Sequence, residues 1–171
     1  MARALPCHGR GRRFESGQPR PLYSTFMFFI PRDSFEILKT KKKGRGVFAL
    51  QPIKSGTVIG EYSGKRLPYH KIDPQDYEYL MYLTDKVGIV ADKTQIGVHL
   101  LNHSCDPNCT MDIKKISIKF VAIRDIQLHE ELTISYRYPP QGTCTKCEHK
   151  CFCGSPKCLG TMHTPKDVYD L

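Results

Sequence analysis

A β-rich fold with little helix is what this sequence of 171 residues predicts. Three observations carry the expectation. Short runs such as Phe35-Glu36-Ile37-Leu38 and Thr57 to Tyr62 are punctuated by Gly/Pro turns. Ile116 to Ile123 alternates apolar and polar residues, the period of a half-buried strand. Helix-compatible sequence is confined to a turn or two near Ile96 to Leu101.

Taken in order, the elements are these. Residues 1–22 are rich in Arg, Gly and Pro and offer little to bury, so they read as disordered. Met27 is an alternative start. The segment before it reads as a solvated tail, or as sequence foreign to the native chain, in preference to a targeting peptide or a nucleic-acid-binding arm. Strands are expected at Phe35–Leu38 and Val47–Leu50, joined by the basic turn Lys41 to Gly46. Pro52 to Gly56 turns the chain into Thr57–Tyr62. Asp76 to Asp85 suits a strand or a brief helix, and Gly88–Asp92 a strand. Ile116–Ile123 and Leu132–Tyr136 complete the set. The domain boundaries drawn from this reading are 1–33 for a disordered basic arm, 34–138 for the folded domain and 139–171 for a metal-binding segment and tail.

The length suits one domain with a real core. No apolar run is long enough to span a bilayer, so no membrane role is expected. A net charge of +9 looks like a signal for nucleic acid. Its distribution argues otherwise, because residues 1–45 hold 11 Lys/Arg against 3 Asp/Glu and the remainder 15 against 14. Any nucleic-acid contact is therefore expected only through the basic N-terminal arm.

Eight cysteines are present, and five of them, Cys144, Cys147, Cys151, Cys153 and Cys158, crowd into one short stretch. Spacings of C-x-x-C and C-x-C suit a metal better than disulfides, since half-cystines two residues apart cannot pair without strain. Zinc takes four ligands in a tetrahedron, and thiolates suit it. Cys151, Cys153 and Cys158 supply three from a loop turned by Gly154 and Pro156. Cys105 is the preferred fourth, because it would tie the tail to the Asn102–Cys109 stretch. A local knuckle of Cys144, Cys147, Cys151 and Cys153 stays open as the competing set. Either way a reducing, intracellular compartment is expected.

Asn102-His103-Ser104-Cys105-Asp106-Pro107-Asn108-Cys109 is turn-forming, with Asn and Asp suited to binding backbone groups. His103 there serves as base, ligand or structural side chain, and the residues alone do not choose. Tyr136 and Tyr138 are two apart, so a strand would point both to one face. With Tyr62, Tyr77, Tyr79 and Tyr82 they make either a tyrosine-rich core or an aromatic channel for an amine-tipped stem.

Together these pieces resemble the SET-domain protein lysine methyltransferases that carry a post-SET zinc segment. The resemblance rests on Gly44 to Ala49, Glu61-Tyr62-Ser63-Gly64, Asn102 to Cys109, Glu130 to Tyr136, and Cys151, Cys153 and Cys158, in the family's order. It implies small curved β-sheets with a pseudoknot, in which the Asn102–Cys109 segment is crossed by the one ending at Tyr136. It implies S-adenosylmethionine as cofactor, met by Lys43, Gly44, Arg45, Gly46, Tyr79, Asn102, His103 and, through its backbone, Phe152. Tyr136 matches the catalytic tyrosine. Cys105, Cys151, Cys153 and Cys158 match the Zn2+ ligands.

The implied reaction is methyl transfer to a lysine amine of a histone tail or other protein. The implied location is the nucleus and chromatin in a eukaryote, the cytoplasm in a bacterium. The alternative is a catalytically weak, zinc-stapled protein-binding module. Departures from the family pattern are Lys65 in place of Glu, His99-Leu100-Leu101 before Asn102, and Ile134 where Phe or Tyr is common, a position that bears on methylation degree.

Overall fold

The computed structural model describes residues 27–73, 76–140 and 149–166. The expectations for Cys7, Cys144, Cys147 and most of the N-terminal arm lie outside those residues.

Eleven strands are formed among the described residues: β1 Met27–Phe28, β2 Phe35–Lys39, β3 Arg45–Ala49, β4 Val58–Glu61, β5 Lys65–Pro68, β6 Leu80–Thr84, β7 Val87–Val90, β8 Asn102–His103, β9 Cys109–Lys114, β10 Ser117–Ala122 and β11 Glu131–Ile134. Among the described residues, short 3-10 turns at Arg32–Ser34, Tyr69–Lys71 and Val98–Leu100 interrupt them. The last falls where a brief helix was expected. The strands assort into three small sheets, ordered β1-β4-β10-β9, β2-β3-β11-β8 and β5-β7-β6.

Alternation in the sequence explains β10. Ile118, Phe120 and Ala122 are buried, while Ser117, Lys119 and Val121 are only half-buried. Phe35, Val47, Ile59, Leu101 and Leu132 join them in one core. Burying each such side chain contributes about 1.5–3 kcal/mol.

Four strands went unread in the sequence, among them the two-residue β8, which lies in the stretch read as a polar turn. Cys109–Lys114 has the strand period, but its start had been absorbed into the polar turn before it. Its Ile113 is 44% exposed, so it is an edge strand with a weak apolar signal. Lys65-Arg66-Leu67-Pro68 is a charged edge strand paired only with β7. Charge and proline at an edge discourage further pairing, which erases the apolar pattern. The two-residue β1 is too short to leave one.

The last strand ends earlier than expected. β11 stops at Ile134, and Arg137 takes a left-handed φ of 52°, so the chain bends between the two tyrosines. Tyr136 and Tyr138 therefore do not share a strand face. The bend still brings their rings to 5.9 Å, edge to face.

The decisive feature is a crossing. β11 lies between β3, to which it is antiparallel, and β8, to which it is parallel. Consecutive elements cannot make that parallel pair by a hairpin, so the chain passes round through β9 and β10 first. Asn108 completes it. Its side chain accepts from Thr133 N (2.8 Å) and donates to Glu131 O (2.8 Å) and Glu130 Oε1 (2.9 Å). One amide thus copies a strand edge where no strand fits. Asn108 is 1% exposed, so water cannot replace it.

Asn108→Ala leaves a buried N–H and a buried C=O without partners, each costing about 1–3 kcal/mol. Denaturant unfolding of this variant is expected to show a loss of about 3 kcal/mol. A loss below about 1 kcal/mol would contradict the role given to the amide.

Candidate functional site

Two glycines shape the loop between β2 and β3. Gly44 has φ +73°, a conformation that suits glycine at a turn. Thr40 N donates to Gly44 O (2.7 Å), and Thr40 Oγ1 accepts from Lys43 N (2.9 Å), which fixes the turn. Gly46 is needed for space. A Cβ there would lie 2.6 Å from Glu131 Oε1 and 2.9 Å from Asn102 Nδ2.

Those two side chains form the floor beneath the loop. Asn102 Nδ2 donates to Arg45 O (3.0 Å) and to Glu131 Oε1 (2.8 Å). The other oxygen of Glu131 pairs with the ammonium of Lys43. One carboxylate from β11 therefore holds both the loop and Asn102. Lys42 lies 5.1 Å over the ring of Phe152, which brings the C-terminal segment to the loop's outer side.

His103 follows Asn102 on β8. Its Nδ1 accepts a hydrogen bond from Tyr136 N (3.1 Å). A neutral imidazole has one acceptor and one donor nitrogen, so Nε2 carries the hydrogen. That nitrogen lies 3.5 Å from Cys105 Sγ. Burial, and secondarily the nearby Lys43 charge, lower the His103 pKa to about 4, so the ring is neutral near pH 7. Both ring nitrogens are committed within the protein, which leaves the ring faces and main chain for any ligand.

Tyr136 sits on the wall of a cavity lined also by Tyr62, Tyr79, His99, Ile134 and Tyr138. Its hydroxyl donates to Leu101 O (3.3 Å). Burial first, then the neighbouring Tyr138 and Tyr79, raises its phenol far above the usual tyrosine range. Burial does the same to Tyr62. Both hydroxyls are therefore neutral at physiological pH. Tyr79 packs edge-on against His99 at 4.8 Å.

Apart from the cavity lining, four thiols converge. Cys105, Cys151, Cys153 and Cys158 place their sulfurs within 4.8 Å of one another. A Zn–S length of about 2.3 Å gives tetrahedral sulfur–sulfur edges of about 3.8 Å. Cys105 and Cys151 are 3.7 Å apart. Backbone N–H groups of Leu159 and Gly160 point at Cys105 and Cys158, both at 3.4 Å. Burial opposes ionisation of Cys153, but bonds from the Cys105 and Ser155 backbone outweigh it and bring the thiol to about 6. Number, spacing and donor chemistry fit a structural zinc.

The structure thus brings Lys43, Gly44, Arg45, Gly46, Asn102 and His103 round one floor, Tyr79 and Tyr136 round one cavity, and the four cysteines into one cluster. Phe152 is 49% exposed and lies under the Lys42 ammonium. Sequence reasoning missed Glu131, although it stood in a quoted motif. It also missed His149 and His163, which buttress Tyr138. His149 stacks on that ring at 4.1 Å, and His163 Nδ1 hydrogen-bonds Pro139 O at 2.6 Å. Isolated histidines in a tail carry no spacing signal, so nothing marked these two. Lys65 and His99 differ in consequence: Lys65 is exposed on an edge strand, whereas His99 lines the cavity.

The family profile described as the SET domain matches residues 44–137. A histone-lysine N-methyltransferase of Mycosarcoma maydis, H3 lysine-36 specific, is 34% identical over 140 residues, 74% of this chain and 14% of that protein. An H3 lysine-4 specific counterpart from Eremothecium gossypii is 32% identical over 134 residues, 69% of this chain and 13% of that protein. This chain therefore spans about one seventh of the length of these relatives. Among solved structures, KRYPTONITE in complex with mCHH DNA, H3(1-15) peptide and SAH superposes with a TM-score of 0.65 at 26% identity, over 77% of this chain and 30% of that one.

Elemental analysis is expected to find one zinc per chain, and Cys105→Ser is expected to lose it together with thermal stability. Metal content unchanged in that variant would favour the local set with Cys144 and Cys147.

Proposed function

The chain belongs to the SET-domain family, and from that premise we propose that it is an S-adenosylmethionine-dependent protein lysine N-methyltransferase. One observation carries the reading most of the way. A neutral tyrosine hydroxyl, that of Tyr136, stands in an aromatic cavity that shares β11 and β8 with the Gly44–Gly46 loop and Asn102. An amine-tipped stem suits the cavity, and a small zwitterionic cofactor suits the polar floor.

S-adenosylmethionine would supply an electrophilic methyl group to the amine nitrogen, its sulfur keeping the C–S electron pair and the nitrogen releasing one proton to solvent. The backbone of Lys43, Gly44, Arg45 and Gly46, with Asn102, His103, Tyr79 and the main chain of Phe152, would hold that cofactor. Asn102 has both amide hydrogens committed, so its carbonyl oxygen is the group it offers. Zinc at Cys105, Cys151, Cys153 and Cys158 would act as a clamp that fixes Phe152 beside the loop. It has no part in the bond changes.

A free lysine amine has a pKa of about 10.4 and must lose a proton before it can react. The desolvated, tyrosine-walled cavity favours the neutral amine. Tyr136 then orients the nitrogen, and its oxygen dipole stabilises charge as the bond forms. Alignment within the cavity is the larger contribution. A structural neighbour was solved with SAH, the demethylated form of this cofactor, and with an H3 peptide. The two fungal relatives are named for different H3 lysines. Together these support a histone-tail lysine as substrate, and chromatin as the place of action, without choosing the residue.

Histone mixtures and a lysine-peptide array with labelled S-adenosylmethionine test the proposal. Label is expected on lysine, falling about 100-fold in Tyr136→Phe, with cofactor binding retained in calorimetry. Cofactor binding with no transfer to any peptide would favour a binding module instead.

A further inference from the structure

His99 is a cavity-lining group that the proposed reaction leaves without a task. It lies in the 3-10 turn Val98–Leu100, is 8% exposed, and lines the cavity with Tyr62, Tyr79, Ile134 and Tyr136. Its Nε2 is buried and has no hydrogen-bond partner among the described residues. A backbone bond with Gln95 stabilises the protonated ring, as a carbonyl acceptor does. A neutral ring whose Nδ1–H serves the Gln95 backbone keeps its lone pair on Nε2. Burial, then the charge of Arg45, lower the His99 pKa, against the weaker pull of Asp92 and Glu78, so the ring is neutral.

A buried acceptor without a donor is rare in folded proteins and marks a place where something else supplies the hydrogen. The cavity's proposed occupant is an amine. We propose that Nε2 of His99 accepts a hydrogen bond from the substrate amine and thereby limits the number of methyl groups transferred. The inference rests on the methyltransferase reading above.

Hydrogen-bond counting gives the limit. The reacting amine is neutral, so unmethylated lysine brings two N–H groups, monomethyl-lysine one and dimethyl-lysine none. Every transfer exchanges one N–H for one N–CH3, with the proton released. Ile134 has no polar atom to offer, and the Tyr136 hydroxyl hydrogen is directed to Leu101 O. After two transfers nothing remains to satisfy His99. The third transfer must then proceed against an unpaired buried lone pair, which slows it about tenfold or more. Dimethyl-lysine is the expected end product.

Two variants and two readouts test this. His99→Gln keeps an acceptor near the Nε2 position, whereas His99→Leu keeps bulk and loses the acceptor. Mass spectrometry of a peptide substrate should show mono- and dimethyl product from wild type and His99→Gln, and trimethyl product from His99→Leu. Identical product distributions in all three would overturn the inference. Independently, histidine-labelled wild-type protein is titrated with Nα-acetyl-lysine methylamide and its trimethylated form, with nuclear magnetic resonance detection. The Nε2 resonance of His99 should move with the first probe and stay with the second. No movement with either would overturn the inference even if His99→Leu fails to fold. Movement in a protein that transfers no methyl group would sink the methyltransferase reading and leave the hydrogen bond standing.

Discussion

β11 is held along both edges, and the rest of the site depends on that. β3 and β8 pair with the strand, and the Asn108 amide takes Glu131 O and Thr133 N, which point to the edge opposite Ile134 O, the group bonded by Ser104 N beside β8. The strand spans four residues, yet it supplies Glu131 to the loop floor and Ile134 to the cavity, and it delivers Tyr136 just beyond its end. A strand this short has little intrinsic preference to form, so its geometry is imposed by its neighbours. Shifting its register by one residue would exchange Glu131 and Leu132 between floor and core.

The same crossing ties the cysteine cluster to the cavity. His103 takes the Tyr136 backbone N–H on one nitrogen and faces Cys105 with the other. Motion of the cluster is therefore felt at Tyr136 through a single ring. The C-terminal segment adds a second tie. Tyr138 bridges to His163, and Thr164 N donates to Tyr138 O (2.9 Å), while His149 stacks on the Tyr138 ring. The cavity wall after the bend at Arg137 is thus built jointly by the domain and the cysteine-bearing tail.

Much of the fold was legible because its core strands alternate. Phe35–Lys39, Val58–Glu61 and Ser117–Ala122 formed close to where their patterns placed them. What alternation cannot encode is pairing between segments far apart in sequence, and the parallel contact of β8 with β11 is of that kind. It followed only from the family resemblance. Edge strands such as Lys65–Pro68 hid because their residues serve solubility. Within the site, the four cysteines and the Gly44–Gly46 turn were visible as residue types at fixed spacings. Glu131, Asn108 and His163 were not, since an Asn, a Glu or a His is ordinary on a surface and becomes functional only when three-dimensional neighbours bury it.

Native-state hydrogen exchange tests the central claim that the crossing of β11 is the last structure to yield. The amides of Ser104, Thr133 and Tyr136 donate to Ile134 O, Asn108 Oδ1 and His103 Nδ1. They should exchange only through global unfolding, together and with the free energy of the whole protein, while the β5-β7-β6 sheet opens earlier. Exchange of these three amides by local opening, ahead of that sheet, would contradict it.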